Sequence, residues 1–287
     1  MHKDGQTIIP QDADTIARFL AQGMIYGGIT GAPWFVRSRK TGDRVILDDP
    51  VQYDTAKRAF DYFKAHEALY TGTAAPRARL LYAVDTFYGW PAGGYASFKA
   101  AAALLEDSAV PYAVITYDDL AGLAPGETVV LPDMRFASAA QYACLADAAR
   151  RGVRLVKRGE YGLYNENGKE RDHADPIRNL RALPNVFAAL PEDLRIPAEP
   201  SDGRAILAET TVCADGRFML HLLRPDNTRT ADVTVTLRDA RIRPGMRAAL
   251  YSMDEGCTLT GCEVTEGEAR LRIAGLHTMA SAAFSEG

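Results

Sequence analysis

Short apolar runs and longer mixed segments alternate through the middle of the chain. Four of the apolar runs have the length of strands: Leu80–Val84, Tyr112–Ile115, Thr128–Leu131 and Val153–Val156. Segments of helical length separate them, and the clearest is the alanine-rich stretch from Ala139 to Arg150. This alternation is typical of βαβ units on a parallel sheet. It predicts an α/β domain over residues 71–190, entered through a linker at 71–77.

The first 70 residues have a different order of elements. Residues 14–22 and 54–69 show helical spacing, and Met24–Tyr26 has the pattern of a short strand. A long loop, Ile29–Arg39, is rich in glycine, aromatic residues and arginine. A single strand–helix unit cannot bury its own core, so we expect residues 1–70 to be the end of a larger sheet or barrel.

The last third of the chain has the period of β structure. Residues 184–202 contain four prolines and are predicted to be a connector. From Arg204 onward, Phe218–Leu223 forms an apolar run and Val233–Leu237 alternates apolar and polar positions. Short strands separated by Asp-Asn, Pro-Gly and Glu-Gly turns predict a small antiparallel β-sandwich over residues 204–287.

Charge and hydropathy exclude several classes of partner. The 287-residue chain has a formal net charge of -4, and its arginines are spread along the sequence. This distribution argues against a nucleic-acid partner. No apolar run approaches the ~18–20 residues of a membrane span, and the polar N-terminus has no signal-peptide pattern. We therefore expect no membrane association and a cytoplasmic location.

The residues that usually bind metals and cofactors are few and scattered. The chain has four cysteines and five histidines without ligand spacing, so no metal site is predicted. Cys257 and Cys262 flank a possible hairpin turn, where a disulfide and two free thiols are both conceivable. The glycines of residues 89–94 do not match Gly-x-Gly-x-x-Gly, and no cofactor is predicted.

Three segments carry a resemblance to a known family. They are Arg58–Tyr70, Val129–Asp133 with Leu145–Val156, and Phe218–Asn227 with Ala249–Ser252 and Ile273–Leu276. In order and local texture they resemble the C-terminal half of family 42 β-galactosidases. The resemblance implies the last barrel unit over residues 1–70. It also implies a flavodoxin-like domain, related to class I glutamine amidotransferases, over 71–190, and a terminal sandwich over 204–287. A trimer built through the middle domain is implied as well, or association with a chain that carries the rest of the barrel.

The chain departs from the chemistry of both resembled families. An amidotransferase needs a cysteine nucleophile at a strand-to-helix elbow, but Thr128–Leu131 leads into Pro132-Asp133 and Cys144 lies well inside the next helical segment. Barrel glycosidases hold two carboxyl groups at strand ends. The predicted strand at Met24–Tyr26 has no acid at its end. No catalytic residue is assigned, the catalytic carboxylates are expected outside this chain, and enzymatic activity stays open.

Two aromatic loops supply candidate substrate contacts. Trp34, Arg37 and Arg39 lie in the first loop, where Trp34 can act as a sugar platform and the arginines can bond hydroxyls or a carboxylate. Tyr88 and Trp90 follow the first strand of the α/β domain, at the edge where such sheets bind ligands. Packing between domains or against another chain is the alternative for both loops.

Three functional hypotheses remain at this stage. The first is a non-catalytic C-terminal portion or subunit of a glycoside hydrolase that scaffolds and oligomerises the barrel. The second is a stand-alone carbohydrate-binding module that uses the aromatic loops. The third is a self-contained enzyme with a crevice near Asp85, Tyr88 and Asp133.

Overall fold

The computed structural model describes residues 3–4, 7–8, 13–26, 50–226 and 228–286; for residues 3–4, 7–8, 50–52, 85 and 87 it describes the backbone alone. The helices are α1 (Ala13–Ile25), α2 (Pro50–Ala65), α3 (Glu67–Tyr70), α4 (Val84–Gly89), α5 (Pro91–Asp107) and α6 (Ala139–Arg150), with 3-10 turns at Asp118–Gly122, Arg178–Leu180 and Glu192–Leu194. The strands are β1 (Lys3–Asp4), β2 (Thr7–Ile8), β3 (Thr73–Ala74), β4 (Ala78–Leu81), β5 (Tyr112–Ile115), β6 (Thr128–Leu131), β7 (Met134–Phe136), β8 (Arg154–Lys157), β9 (Tyr161–Tyr164), β10 (Val186–Phe187), β11 (Ala198–Pro200), β12 (Leu207–Val212), β13 (Phe218–Leu223), β14 (Ala231–Arg238), β15 (Met246–Tyr251), β16 (Thr258–Thr265), β17 (Glu268–Leu276) and β18 (Met279–Glu286).

The chain folds into two compact units. The α/β unit comprises residues 76–195, and the β unit combines residues 1–75 with residues 196–287. The predicted linker at 71–77 therefore contains a structural strand, since β3 pairs antiparallel with β12 in the β unit.

A five-stranded parallel sheet forms the centre of the α/β unit. Its strands lie in the order β10-β8-β6-β4-β5, so the chain order across the sheet is 2-1-3-4-5. Leu81, Val129 and Leu155 pack on one face with Leu145 and other α6 residues. On the other face, Leu80, Val130 and Val156 pack with Ala101 and Leu105 of α5. The alternation of strand side chains thus buries both faces of the sheet under helices.

Two antiparallel sheets and the N-terminal helices form the β unit. One sheet has the order β15-β18-β13-β12-β3 and the other β11-β14-β17-β16. Every residue of β13 is buried, because side chains on one face contact the helices while Phe218, Leu220 and Leu222 are buried on the opposite face. In β14 the buried and exposed positions alternate, as the sequence pattern predicted.

The helices α1 and α2 cover one face of the five-stranded antiparallel sheet of the β unit. Ile16 and Leu20 of α1 and Phe63 of α2 pack with Met219 and Met279 of that sheet. The helix α1 extends through Ile25, so the predicted strand at Met24–Tyr26 is wrong. These helices bury their apolar residues on a sheet formed mainly by the C-terminal third of the chain. The apolar residues therefore need no barrel to cover them.

Other local predictions need correction. The predicted loop after β4 is mostly helical, because Val84 begins α4 and Pro91 begins α5. The predicted connector at 184–202 contains β10, which is the fifth strand of the parallel sheet, and β11, which pairs with β14. Strands β12 and β18 were not predicted. Of the two states left open for Cys257 and Cys262, the structure has the free thiols.

Candidate functional site

The strand order of the α/β unit creates one topological switch point. The strands β4 and β6 are neighbours, and the chain continues from β4 to β5 on one side of this pair and from β6 to β8 on the other. In open α/β sheets a ligand crevice forms beyond the carboxyl ends of two such strands. The segments that follow β4 and β6 therefore define the first candidate site.

Packing between these two segments fills much of the crevice. The hydroxyl of Thr86 in α4 donates to the carbonyl of Phe136 in β7 at 3.0 Å. A Cβ atom on Gly89 would lie 2.9 Å from the Phe136 ring, so the helix meets the strand closely at this point. Because α4 packs closely against β7, a ligand at this edge would contact the side chains at its rim.

Asp133, the acid that follows β6, is held by the surrounding backbone. Its amide donates to the Ser97 hydroxyl at 2.6 Å, and its carboxylate accepts from the Glu160 amide at 3.1 Å and from Arg135 Nε at 3.3 Å. A Cβ on Gly159 would lie 2.6 Å from that of Asp133. These contacts make Asp133 a structural acid that ties the β6 and β8 loops together.

The predicted aromatic contacts at this rim differ in exposure. The Arg135 guanidinium lies 4.2 Å from the centre of the Trp90 ring, and Gly93 lies against the same ring. Tyr88 is 82 % exposed. The structure therefore packs Trp90 against its own chain and leaves Tyr88 open to a partner or ligand. Substrate contact by either residue stays a prediction. Trp34, Arg37 and Arg39 lie outside the described residues.

A buried polar network crosses the helix-covered face of the β unit. His221 contacts the Ser281 hydroxyl through Nδ1 at 2.8 Å and the Thr211 hydroxyl through Nε2 at 2.9 Å. The Tyr70 hydroxyl bonds Ser281 at 3.1 Å and the Tyr62 hydroxyl at 3.0 Å. The network thus links α2 and α3 to three strands of the sheet.

The serine–histidine contact resembles the start of a nucleophilic triad, but its surroundings do not suit catalysis. Ser281 and His221 are buried, so a substrate has no direct approach to the hydroxyl. The second histidine nitrogen faces Thr211, whereas a triad places a carboxylate there. Burial lowers the pKa of His221 to about 4, which keeps the imidazole neutral at physiological pH. The network is therefore suited to positioning helices on the sheet.

Glu209 adds an unusual acid to the same face. It pairs with His221 across β12 and β13, is 5 % exposed, and accepts a hydrogen bond from the Thr210 amide at 3.1 Å. Burial raises its pKa to about 7. Sequence reasoning missed this residue and His221. The available signal was a single ionisable residue within each of the two strands.

Each unit has a groove on its surface that is lined by described residues. In the α/β unit, a groove of about 600 Å³ is lined by residues 165, 169–173, 175 and 178, in which arginines and acids pair with one another, as in Arg171–Asp175. In the β unit, a groove of about 410 Å³ is lined by residues 215–218, 241, 243, 246 and 284–286, and we name it the arginine groove. Neither groove was predicted from the sequence.

The described residues contain neither a metal-binding group nor a membrane-spanning helix. Within the described part of the chain, no group of three or more His, Cys, Asp and Glu side chains is arranged to hold a metal ion. None of the helices described above combines the length and apolar character that a membrane crossing requires.

Comparison with solved structures identifies the fold. The crystal structure of an apo exo-carrageenase of family GH42 from Bacteroides ovatus matches with a TM-score of 0.60 and 11% identity, over 96% of this chain and 39% of that one. The E323A catalytic mutant of Gan42B, a GH42 beta-galactosidase from G. stearothermophilus, matches with a TM-score of 0.60 and 11% identity, over 93% and 50%. The chain has the fold of family 42 glycoside hydrolases over part of their length.

The likeness extends to another glycoside hydrolase. Alpha-L-fucosidase isoenzyme 2 from Paenibacillus thiaminolyticus matches with a TM-score of 0.60 and 10% identity, over 96% of this chain and 58% of that one. The chain therefore spans roughly 40–60% of the length of these structures. No family model and no curated protein matches the chain.

Proposed function

We propose that this chain is a non-catalytic portion or subunit of a glycoside hydrolase, which scaffolds and oligomerises a catalytic barrel. The observation that carries the proposal is the asymmetric coverage: 93–96% of this chain matches only 39–58% of the glycoside hydrolases. The residues described here at the sheet edge support it, because Asp133 is occupied by structural contacts.

The architecture of the α/β unit supports an oligomerising role. The strand order 2-1-3-4-5 is that of flavodoxin-like domains, which the family resemblance associates with trimerisation. Val84 and Tyr88 lie one turn apart on α4 and are 43 % and 82 % exposed. Their apolar surface on a short rigid helix fits a contact with a second copy of the chain. We propose that α4 forms the centre of this interface.

Two measurements test the proposal. Purified chain should not hydrolyse nitrophenyl β-galactoside or related aryl glycosides, and robust turnover would refute the non-catalytic role. Replacement of Val84 and Tyr88 by serine should convert the oligomer to monomer in sedimentation velocity. The control is Tyr53→Ser, which removes an exposed tyrosine from α2 in the β unit and should leave the oligomer intact.

A carbohydrate-binding module is the second candidate function. The exposed ring of Tyr88 favours it, since tyrosine rings stack on the apolar faces of sugars. Calorimetry with neutral oligosaccharides at millimolar concentration tests this reading. Heat that is lost in Tyr88→Ala and kept in Tyr53→Ala would support it, and no heat from folded protein would exclude it.

A further inference from the structure

The arginine groove combines two fixed guanidinium groups with one that is weakly held. Arg217 is bound to Asp215 through Nε at 2.8 Å and through Nη2 at 2.6 Å. Arg241 is bound to both oxygens of Asp239 at 2.7 and 2.8 Å. Carboxylate pairing of this kind fixes the plane of a guanidinium and the direction of its remaining N–H groups.

Both fixed arginines keep donors for a ligand. A guanidinium has five N–H donors, and each of these pairs uses the Nε and Nη2 side of the group. Among the residues described, the Nη1 group of Arg217 and that of Arg241 have no partner. The Arg241 guanidinium also lies 4.2 Å from the centre of the Phe218 ring, and this cation–π contact helps to fix its position.

The third arginine, Arg243, is exposed and weakly paired, so its side chain can turn towards a ligand. Arg243 approaches Glu286 only to 3.9 Å, and these two side chains are 68 % and 83 % exposed. An exposed pair at this distance contributes little and is readily exchanged for another anion. Met246, Phe218 and Phe284 supply an apolar contribution to the lining, and a volume of about 410 Å³ lies within the range of small-molecule sites.

We infer that the arginine groove binds an oxyanion, a carboxylate or sulfate group, carried by a saccharide. Paired donors on planar guanidinium groups match the geometry of such oxyanions, and the half-buried Met246 offers an apolar contact to a sugar ring, since Phe218 and Phe284 lie buried beneath the groove. The nearby carboxylates balance much of the positive charge, so affinity comes from directed hydrogen bonds. The saccharide part of this inference rests on the proposed function, whereas the oxyanion part does not.

Calorimetric titration of the full chain with four probes tests the inference. The probes are galactose 6-sulfate, galacturonate, galactose and inorganic sulfate. We expect the two anionic sugars to bind with dissociation constants on the order of 1 mM or below. Inorganic sulfate should compete with them, and galactose should bind at least about fivefold more weakly because it lacks the oxyanion.

Substitution locates the binding in the groove. Arg217→Gln and Arg243→Gln should each weaken anionic-sugar binding about fivefold or more. Arg272→Gln, which removes another exposed arginine, one that is paired with Glu263 outside the groove, should leave it unchanged. Arg243 is exposed enough that its replacement tests binding even where Arg217→Gln impairs folding.

The outcomes separate the two parts of the inference. No response to any anion, or equal losses in the Arg243 and Arg272 variants, would overturn the groove as an oxyanion site. Inorganic sulfate binding as tightly as galactose 6-sulfate would overturn the saccharide part alone and would weigh against the proposed carbohydrate role. Tighter binding of the anionic sugars, lost in the groove variants, would support both.

Discussion

Replacement of Glu209 by glutamine should change how the stability of the β unit depends on pH. The side chain is 5 % exposed and faces a neutral buried histidine across the sheet. Burial lowers the pKa of His221 to about 4, so the residue paired with Glu209 is not a cation at neutral pH. Glutamine keeps the size of the side chain and removes its charge at every pH.

The pKa of Glu209 sets the sign and size of the effect. Burial raises this pKa from 4.5 to about 7, so the folded chain holds the proton more tightly than the unfolded chain. The contribution of Glu209 to stability is complete below pH 4.5 and is lost as the pH rises through about 7. A shift of this size corresponds to about 3 kcal/mol.

His221 produces the opposite trend in acid. Its pKa is lowered by burial from 6.5 to about 4, so its contribution is present above pH 6.5 and is lost as the pH falls through about 4. The two groups therefore offset each other between about pH 4.5 and 6.5 in the native protein. Glu209→Gln removes one of these trends and should expose the acid sensitivity of His221.

Guanidinium denaturation of both proteins, followed by far-ultraviolet circular dichroism at pH 4.5 and pH 7.5, measures this change. The stability of the variant relative to the native chain should rise by about 3 kcal/mol between the two pH values. Glu199→Gln, at an exposed acid of β11, is the control and should show no such rise. A difference for Glu209→Gln that stays constant with pH within about 0.5 kcal/mol would refute the reasoning.

Two further substitutions test the packing of each unit. Gly93→Ala would place a Cβ 1.8 Å from the Trp90 ring and should displace the indole, costing about 1–3 kcal/mol and shifting tryptophan fluorescence. Gly122→Ala, where nothing lies within 4 Å, is its control, and equal effects would contradict the packing. Ser281→Ala removes the partner of His221 Nδ1 and should cost about 1–3 kcal/mol in thermal unfolding; an unchanged melting temperature would show that the network does not stabilise the fold.

Periodicity predicted the parallel sheet well because its strands are short and apolar, and the central strand β6 is buried at every position. The runs at Tyr112–Ile115 and Thr128–Leu131 are strands with those bounds. The helix Ala139–Arg150 is preceded by its N-cap residue Ser138, whose side chain accepts a hydrogen bond from the Gln141 amide. Ser138 and Gln141 form a reciprocal capping box, which fixes the start of the helix locally. Local signals of this kind can be read from the sequence.

The errors arose where tertiary contacts decide the structure. Met24 and Ile25 were predicted as a strand, yet they continue α1 because its apolar stripe, which includes Ile16 and Leu20, packs on the sheet of the β unit. The residues of that sheet on which the helix packs, Met219 and Met279, lie more than 190 positions later in the chain. A short apolar segment cannot indicate by itself which distant surface covers it.

The side chains of the candidate sites were harder to predict than the elements. The arginine groove joins the start of β13, the loop before β15 and the end of β18, which are far apart in sequence. Glu209 and His221 meet only through the antiparallel register of β12 and β13. Each residue taken alone is an ordinary polar position, and only the pairing of strands brings them together.

The molar mass of the purified chain in solution tests the central proposal most directly. Light scattering after size-exclusion chromatography should give three times the monomer mass of 31.2 kDa at micromolar concentration. The Val84 and Tyr88 serine variant should give the monomer mass under the same conditions. A mass of 31.2 kDa for the native chain over the whole accessible concentration range would contradict the oligomerising role.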